Sequence, residues 1–154
     1  MNSILVRVDN RLVHGQILEA WVPYCSAARI VILNDEVAGD PFRESVIRMV
    51  VPSNIEVQVF PVERFSRKFK ADEWHDRHTI VLLKDIDDAL KAFRAGFTFD
   101  RLNIGNVHNE NGKYCVTSSI YLSDGERDLL QELTGAGVAV ELRCIPKDKP
   151  INFR

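Results

Sequence analysis

The sequence predicts an α/β fold, an open and mostly parallel sheet with helices on both faces. Two observations carry that expectation. Short apolar, β-branched runs alternate along the chain with stretches whose apolar residues recur at helical spacing. Helix boundaries are marked between them, by Asp40-Pro41 and Ser123 at starts and by Gly96 and residues 135–137 at stops. Strand–helix alternation of this kind builds parallel strands joined by helical crossovers.

Residues 4–8, Ile-Leu-Val-Arg-Val, are apolar and β-branched enough for a buried first strand, and Ile17, Leu18, Ala20 and Trp21 fall at helical spacing after it. Residues 29–33 read as a second buried strand. A helix opens at Asp40-Pro41, aspartate as cap and proline in the first turn, and closes before Pro52. Residues 55–60 alternate Ile, Val and Val with polar side chains, the pattern of a strand nearer an edge. A short basic helix over 62–69 and a polar connection over 70–78 lead to a fourth strand at 79–83. Ile86, Ala89, Leu90 and Phe93 share one face of a helix over 85–94, which Gly96 ends. A fifth strand at 101–104 is followed by a Gly/Asn-rich loop and a short strand near 114–117. Ser123 caps a helix that buries Leu129, Leu130 and Leu133, residues 135–137 stop it, and 138–145 form the last strand. No linker, repeat or low-complexity segment intervenes, so residues 1–154 are expected to form a single domain.

A chain of 154 residues with 45% hydrophobic content supports one core, and at this length about 70% of the unfolded surface is buried on folding. A net charge of -2, with lysines and arginines scattered, disfavours nucleic acid as a partner. No apolar run approaches the roughly 20 residues that cross a bilayer, and no basic-then-apolar leader opens the chain. A cytoplasmic protein without direct membrane insertion is expected. Cys25, Cys115 and Cys144 are far apart and odd in number, which points to reduced thiols rather than a disulfide framework or a zinc knuckle. The glycines form neither G-x-G-x-x-G nor a P-loop, so no nucleotide site is expected.

The most informative segment follows the first strand: Asp9-Asn10-Arg11-Leu12-Val13-His14-Gly15-Gln16. It puts His14 where a strand hands over to a helix N-terminus. Unpaired amides of a first turn face outward there and the helix dipole favours negative charge, so a phosphoryl group finds donors without a metal. Arg11 adds a planar fork of charged donors. An imidazole at that end of a helix tends to stay neutral, which leaves a ring nitrogen free to attack phosphorus. A lone histidine between apolar neighbours is more often a packed, hydrogen-bonded core residue, and spacing alone favours that reading.

Residues 6–16, Val-Arg-Val-Asp-Asn-Arg-Leu-Val-His-Gly-Gln, resemble the active-site loop of the IIB component of the mannose/sorbose-type sugar phosphotransferase system. Residues 32–41 are similar to the family's second-strand exit and 102–108 to its later glycine-containing loop, with Asn106 standing where the family often has a second glycine. The resemblance implies that His14 carries the phosphoryl group on its δ nitrogen. It implies Arg11, Asn10, Asp9, Gly15 and Gln16 as phosphate-binding residues, with the loop amides contributing, and a covalent phosphohistidine with neither cofactor nor metal. The implied donor is a cytoplasmic IIA protein and the implied acceptor a sugar bound by membrane IIC and IID partners.

Ligands of open α/β sheets bind beyond the carboxyl ends of the strands, so the exits at Asp9-Asn10-Arg11, Asn34-Asp35, Lys84-Asp85 and Asn103-Ile104-Gly105 can line one shallow, solvent-reachable site. Asp35, Lys84, Gly105 and His108 are its rim candidates. Asp9 or Asp35 can fix the tautomer of His14. Equally, Asp9 can pair with Arg7 or Arg11, Asp35 can cap a turn, Lys84 can be solvated and His108 can be an exposed turn residue. Leu12 and Val13 suit either transient partner contacts or the core. His75 and His78, near Asp72, Glu73 and Asp76, have metal-ligand types without a second cluster to close a coordination sphere, the composition of a solvated loop. Two rival functions stand beside the relay. One is a regulatory phosphohistidine protein of the same fold that feeds no transporter. The other is a phosphohistidine hydrolase or mutase, which needs a second acid/base histidine, and only His108 is placed to supply it.

Overall fold

The computed structural model describes residues 4–69 and 78–154. In chain order the elements are β1 (Ile4–Asp9), a π-helical turn (Ile17–Trp21) continuing as α1 (Val22–Cys25), β2 (Arg29–Leu33), α2 (Asp35–Ala38), α3 (Pro41–Val50), β3 (Glu56–Phe60) and α4 (Val62–Lys68). They continue with β4 (Thr79–Leu83), α5 (Ile86–Arg94), β5 (Arg101–Asn106), β6 (Tyr114–Thr117), β7 (Ile120–Leu122), α6 (Asp124–Gly135), β8 (Ala139–Leu142) and β9 (Ile151–Asn152). The expected caps are in place: the Asp40 carboxylate accepts from the amides of Phe42 and Arg43, and Ser123 with Glu126 forms a reciprocal capping box on α6. The metal-ligand types at 72–76, and with them His75, lie outside the described residues. His78 is tied by Nδ1 to the Cys25 carbonyl at 2.8 Å.

One sheet runs in the order β3-β2-β4-β1-β5-β8-β9, and a separate hairpin pairs β6 with β7. All pairings in the sheet are parallel except β8 with β9. β3 is the edge strand its alternating pattern suggested. Several features depart from the sequence reading, the short helix α2 after β2 among them. The last strand is shorter than 138–145 because the chain turns after Leu142 and returns as the antiparallel β9. The first helix starts with a π-helical turn, and β7 pairs with β6 to close the hairpin.

Side-chain alternation sorts the sheet into two faces. Val31, Leu33, Val81 and Leu83 pack with Val62, Phe65, Ile86, Leu90, Leu130 and Leu133 of α4, α5 and α6. Ile30, Ile32, Ile80 and Leu82 pack on the other face with Ile17, Trp21 and Val51. Crossovers leaving β1 and β2 run toward the β3 edge on this second face, and those leaving β3, β4 and β5 run the opposite way on the first, as a common crossover hand requires. The chains leaving the neighbours β1 and β5 therefore part to opposite faces, the arrangement that opens a crevice at the strand ends. In β1, β5 and β8 the apolar residues Val6, Val8, Leu102, Ile104, Val140 and Leu142 join the α4–α6 core, while Leu5 at the start of β1 packs on the other face. Arg7, Asp9, Asn103, Gly105 and Glu141 alternate with them and turn to the other side.

Candidate active site

Asp9 ends β1 and is fully buried. The pairing of β1 with β5 shifts register between Val8 and Asp9, so that Asp9 stands opposite Asn106. A tight turn follows, with Leu12 N donating to Asp9 O at 3.0 Å and Leu12 in the left-handed region at φ 57°. For a non-glycine residue this conformation costs about 1–2 kcal/mol. Leu12 is 5% exposed and belongs to the core, so it is unavailable as a partner contact. The turn delivers His14 to the start of the helical run, where its carbonyl accepts from Ile17 and Leu18 at 3.0 and 3.2 Å. The π-helical turn puts Ile17 and Trp21 together on the buried side.

The two ring nitrogens of His14 differ sharply. Nε2 lies 2.8 Å from Asp9 Oδ2. Nδ1 is buried and is the one covered side-chain nitrogen or oxygen among the described residues with no hydrogen-bond partner. The His14 side chain is only 11% exposed, so the imidazole is not the freely solvent-reachable group expected, because its bond to Asp9 draws the ring inward.

Asp9 collects donors on both oxygens. Oδ2 accepts from Arg7 Nη2 at 3.0 Å and Asn106 Nδ2 at 2.8 Å besides His14, and Oδ1 accepts from the Arg11 amide at 3.0 Å. Burial pushes this carboxyl up, but the hydrogen bond with His14, the Arg7 guanidinium and the Asn106 amide together outweigh it and hold Asp9 below the usual carboxylate range. A buried, ionised and fully occupied carboxylate sits behind the imidazole and offers nothing to a phosphoryl oxygen.

The remaining sequence candidates divide between loop and rim. The amides of Asn10, Arg11 and Leu12 are committed to Asn106 O, Asp9 Oδ1 and Asp9 O. Among the described residues the amides of Val13, His14, Gly15 and Gln16 have no acceptor, and these four lead into the helix. Arg11 is exposed and reaches Gln16 Oε1 through Nη2 at 3.1 Å; the same oxygen accepts from Asn106 Nδ2 at 3.1 Å. Asp35 is directed elsewhere, accepting from the Val62 amide at 2.9 Å and pairing with Lys91 at 3.6 Å. Lys84 lies 3.8 Å from Glu36, and His108, half exposed, is held by Glu110 at 2.5 Å. Gly105 is not a rim residue: a Cβ there would sit 1.9 Å from Arg7 Cζ. A groove of about 570 Å³ between α4, α5 and α6 lies away from His14, and its cations Arg67, Lys91 and Arg94 are paired with Glu63, Asp35 and Glu132.

The model of the PTS system sorbose subfamily IIB component matches residues 3–154. The chain belongs to that family. It is 30% identical over 153 residues to the sorbose-specific EIIB component of Klebsiella pneumoniae, covering 99% of this chain and 93% of that protein. It is 30% identical over 156 residues to the N-acetylgalactosamine-specific enzyme IIB component 2 of Escherichia coli, covering 99% and 96%. The crystal structure of the IIBSor domain of the Klebsiella pneumoniae sorbose permease superimposes with a TM-score of 0.86 at 31% identity, over 97% of this chain and 92% of that one. The chain is therefore a phosphotransferase component of a sugar phosphotransferase system. Among the described residues no helix is long and apolar enough to cross a membrane.

Arg7 stood in the sequence as one alternative partner of Asp9 and Asn103 as part of a strand exit; with the main chain at Arg143 and Cys144 they hold the carboxylate behind the histidine. Their signal was present as period-two alternation: polar residues 7 and 9 in β1, 103 and 105 in β5, and 141 and 143 in and after β8. Asn106, noted only as a departure from the family's glycine, ties Asp9 to Gln16.

Proposed function

We propose that this IIB protein takes a phosphoryl group from the phosphohistidine of a IIA protein onto Nδ1 of His14 and passes it to a sugar presented by membrane IIC and IID partners, working in the cytoplasm. The observation that carries the reading is the division of roles on one ring: Nε2 is occupied by Asp9 and Nδ1 by nothing. An ionised carboxylate can only accept, so Nε2 bears the proton and the open lone pair falls at Nδ1. Attack from Nδ1 forms the new N–P bond as the donor's N–P bond breaks and its electron pair returns to the donor imidazole. In the second transfer the sugar oxygen takes phosphorus, the N–P bond opens, and the hydroxyl proton leaves with solvent or the acceptor's base.

The unpartnered amides of Val13–Gln16 and the exposed Arg11 fork are the donors available to phosphoryl oxygens, and positioned donors supply most of the catalysis that such a transfer needs. Because Nδ1 is covered, docking of the donor must turn the ring outward or shift its cover before attack. No cofactor enters the scheme. A regulatory phosphoprotein would share the first transfer and lack the second.

The test is to incubate the protein with phosphoenolpyruvate, the general phosphotransferase proteins and a matching IIA protein, and to look for acid-labile phosphate. Label is expected on the wild type and absent from His14→Gln. An unlabelled wild type, or label persisting in the variant, refutes the assignment. Sugar phosphate formed only when membrane partners are added supports the transport branch; its absence with competent partners supports the regulatory one.

A further inference from the structure

We infer that Arg7 is a positioning residue for His14: its buried guanidinium balances the charge of Asp9, so that the imidazole touching that carboxylate stays neutral and Nδ1 keeps its lone pair. The inference rests on the reading of His14 as the nucleophile.

Arg7 is completely buried and no part of it is free to meet a ligand. Nη2 donates to Asp9 Oδ2 at 3.0 Å and to Cys144 O at 2.9 Å, while Nη1 donates to Asn103 Oδ1 at 2.6 Å and Arg143 O at 3.0 Å. Trp21 covers one face, its ring centre 4.9 Å from Cζ. The glycine at 105 leaves the space that the guanidinium fills. Strands β1 and β5, the chain leaving β8 and the π-helical turn thus build a seat for one cation directly behind Asp9.

Arg7 and His14 meet on the same oxygen, Asp9 Oδ2. With Arg7 charged and Asp9 ionised, the buried cluster is neutral when the imidazole is neutral. A second proton on the ring would add a cation to an oxygen that already serves one, in a site where net charge is expensive. Without Arg7, the uncompensated carboxylate would draw that proton onto Nδ1 and close the lone pair. The other ionisable groups facing the cluster are Arg11 in the loop, Cys25 on α1, and Glu141, Arg143 and Cys144 from β8 and its exit. Of the ionisable side chains, Arg7 and His14 are the ones bonded to the Asp9 carboxylate among the described residues.

Arg7→Gln, Arg7→Lys and Gly105→Ala separate charge from packing. Far-UV circular dichroism establishes folding, nitrogen NMR of the histidine ring on unphosphorylated protein reports the protons on His14, and the rate of labelling from IIA is followed against pH. In Arg7→Gln the share of His14 carrying a proton on Nδ1 at neutral pH is expected to rise. Labelling should fall several-fold near pH 6.5 and recover toward the wild-type rate near pH 8.5, as the acid limb of the profile moves upward. Arg7→Lys should keep the wild-type pH profile, and Gly105→Ala, which forces the guanidinium off its seat, should move with Arg7→Gln. Ring protonation unchanged in Arg7→Gln, or Arg7→Lys as impaired as Arg7→Gln at every pH, overturns the inference. If Arg7→Gln does not fold, Gly105→Ala decides, and an unaltered ring spectrum there is the refuting result. The ring spectrum needs no phosphoryl transfer, so a protein that never labels sinks the proposed function and leaves Arg7 to be judged on the NMR alone.

Discussion

Replacing Asp9 by asparagine removes the charge on which both Arg7 and His14 depend. The carboxylate now accepts from Arg7, Asn106, His14 and the Arg11 amide. An amide of the same shape retains a single acceptor oxygen. If that oxygen faces Arg7 and His14, the new NH2 opposes the Arg11 amide and opens the turn; if it faces Arg11, an NH2 opposes Nε2 and the ring proton moves to Nδ1. Either way a hydrogen bond to a charged group is lost at the imidazole, worth about 1.5–3 kcal/mol, or roughly 10- to 100-fold in transfer rate. The ring gains positive character as Nδ1 takes phosphorus, so the loss falls on the transition state. Leaving the buried guanidinium uncompensated costs a further ~3–5 kcal/mol of stability, a large part of the ~5–15 kcal/mol a domain possesses. Urea unfolding and the labelling rate, both measured in the cold where the variant remains folded, check the two numbers. Folded Asp9→Asn that labels within about threefold of wild type, or that unfolds at the wild-type urea concentration, would show that the carboxylate does not support the histidine.

Further outcomes follow from the same structure. Leu12 is buried with φ 57°, so Leu12→Ala keeps the backbone strain and loses the side chain, at a cost of about 2–5 kcal/mol. Leu12→Gly loses as much packing but relaxes the backbone, and urea titration should find it about 1 kcal/mol more stable than the alanine variant, the reverse of their usual order. Burial, with Asp85 and Asp35 nearby, raises Asp88 to about 6 from 3.8. The folded state holds that proton more tightly, so its contribution to stability is full below about pH 4 and lost as the pH rises through 6. Asp88→Asn should therefore gain about 1–2 kcal/mol at pH 7, discounted for partial exposure, and flatten the stability profile in that window. Asp9 acts in the opposite sense, its contribution being present above the unfolded carboxyl range and lost on acidification. Burial pushes the Cys25 thiol up to about 11, against the pull of Arg7. Alkylation near pH 8, followed by mass spectrometry, should modify the exposed Cys115 and spare Cys25.

Much of the architecture could be read locally. The runs at 29–33 and 79–83 are strands with the bounds their composition suggested, and the Asp40-Pro41 and Ser123 starts cap the helices they were read to cap. These features depend on neighbours a few residues apart, which is the range over which periodicity and capping act. The errors lay where the chain meets distant parts of itself. Asp35 and His14 both follow strand ends, and of the two roles open to Asp35 the structural one holds, its oxygens serving Val62 and Lys91 of α4 and α5. Gly105 stands in a loop-like sequence that suggests a rim residue, yet it lies in β5 under the Arg7 guanidinium.

By itself the sequence determined the alternation of strands and helices, the turn after β1 and the place of His14 at the entry to a helix. The tertiary structure alone decided that Asp9 stands beneath that histidine with Arg7, Asn103 and Asn106 around it, and that Nδ1 is covered. The reason lies in strand order. Arg7 and Asn103 are 96 positions apart and meet only because β5 pairs with β1, a choice made by the burial of whole faces and the hand of the crossovers. Local propensity carries no record of that choice, so a polar alternation visible in three separate strands becomes a single buried cluster only when the sheet is assembled.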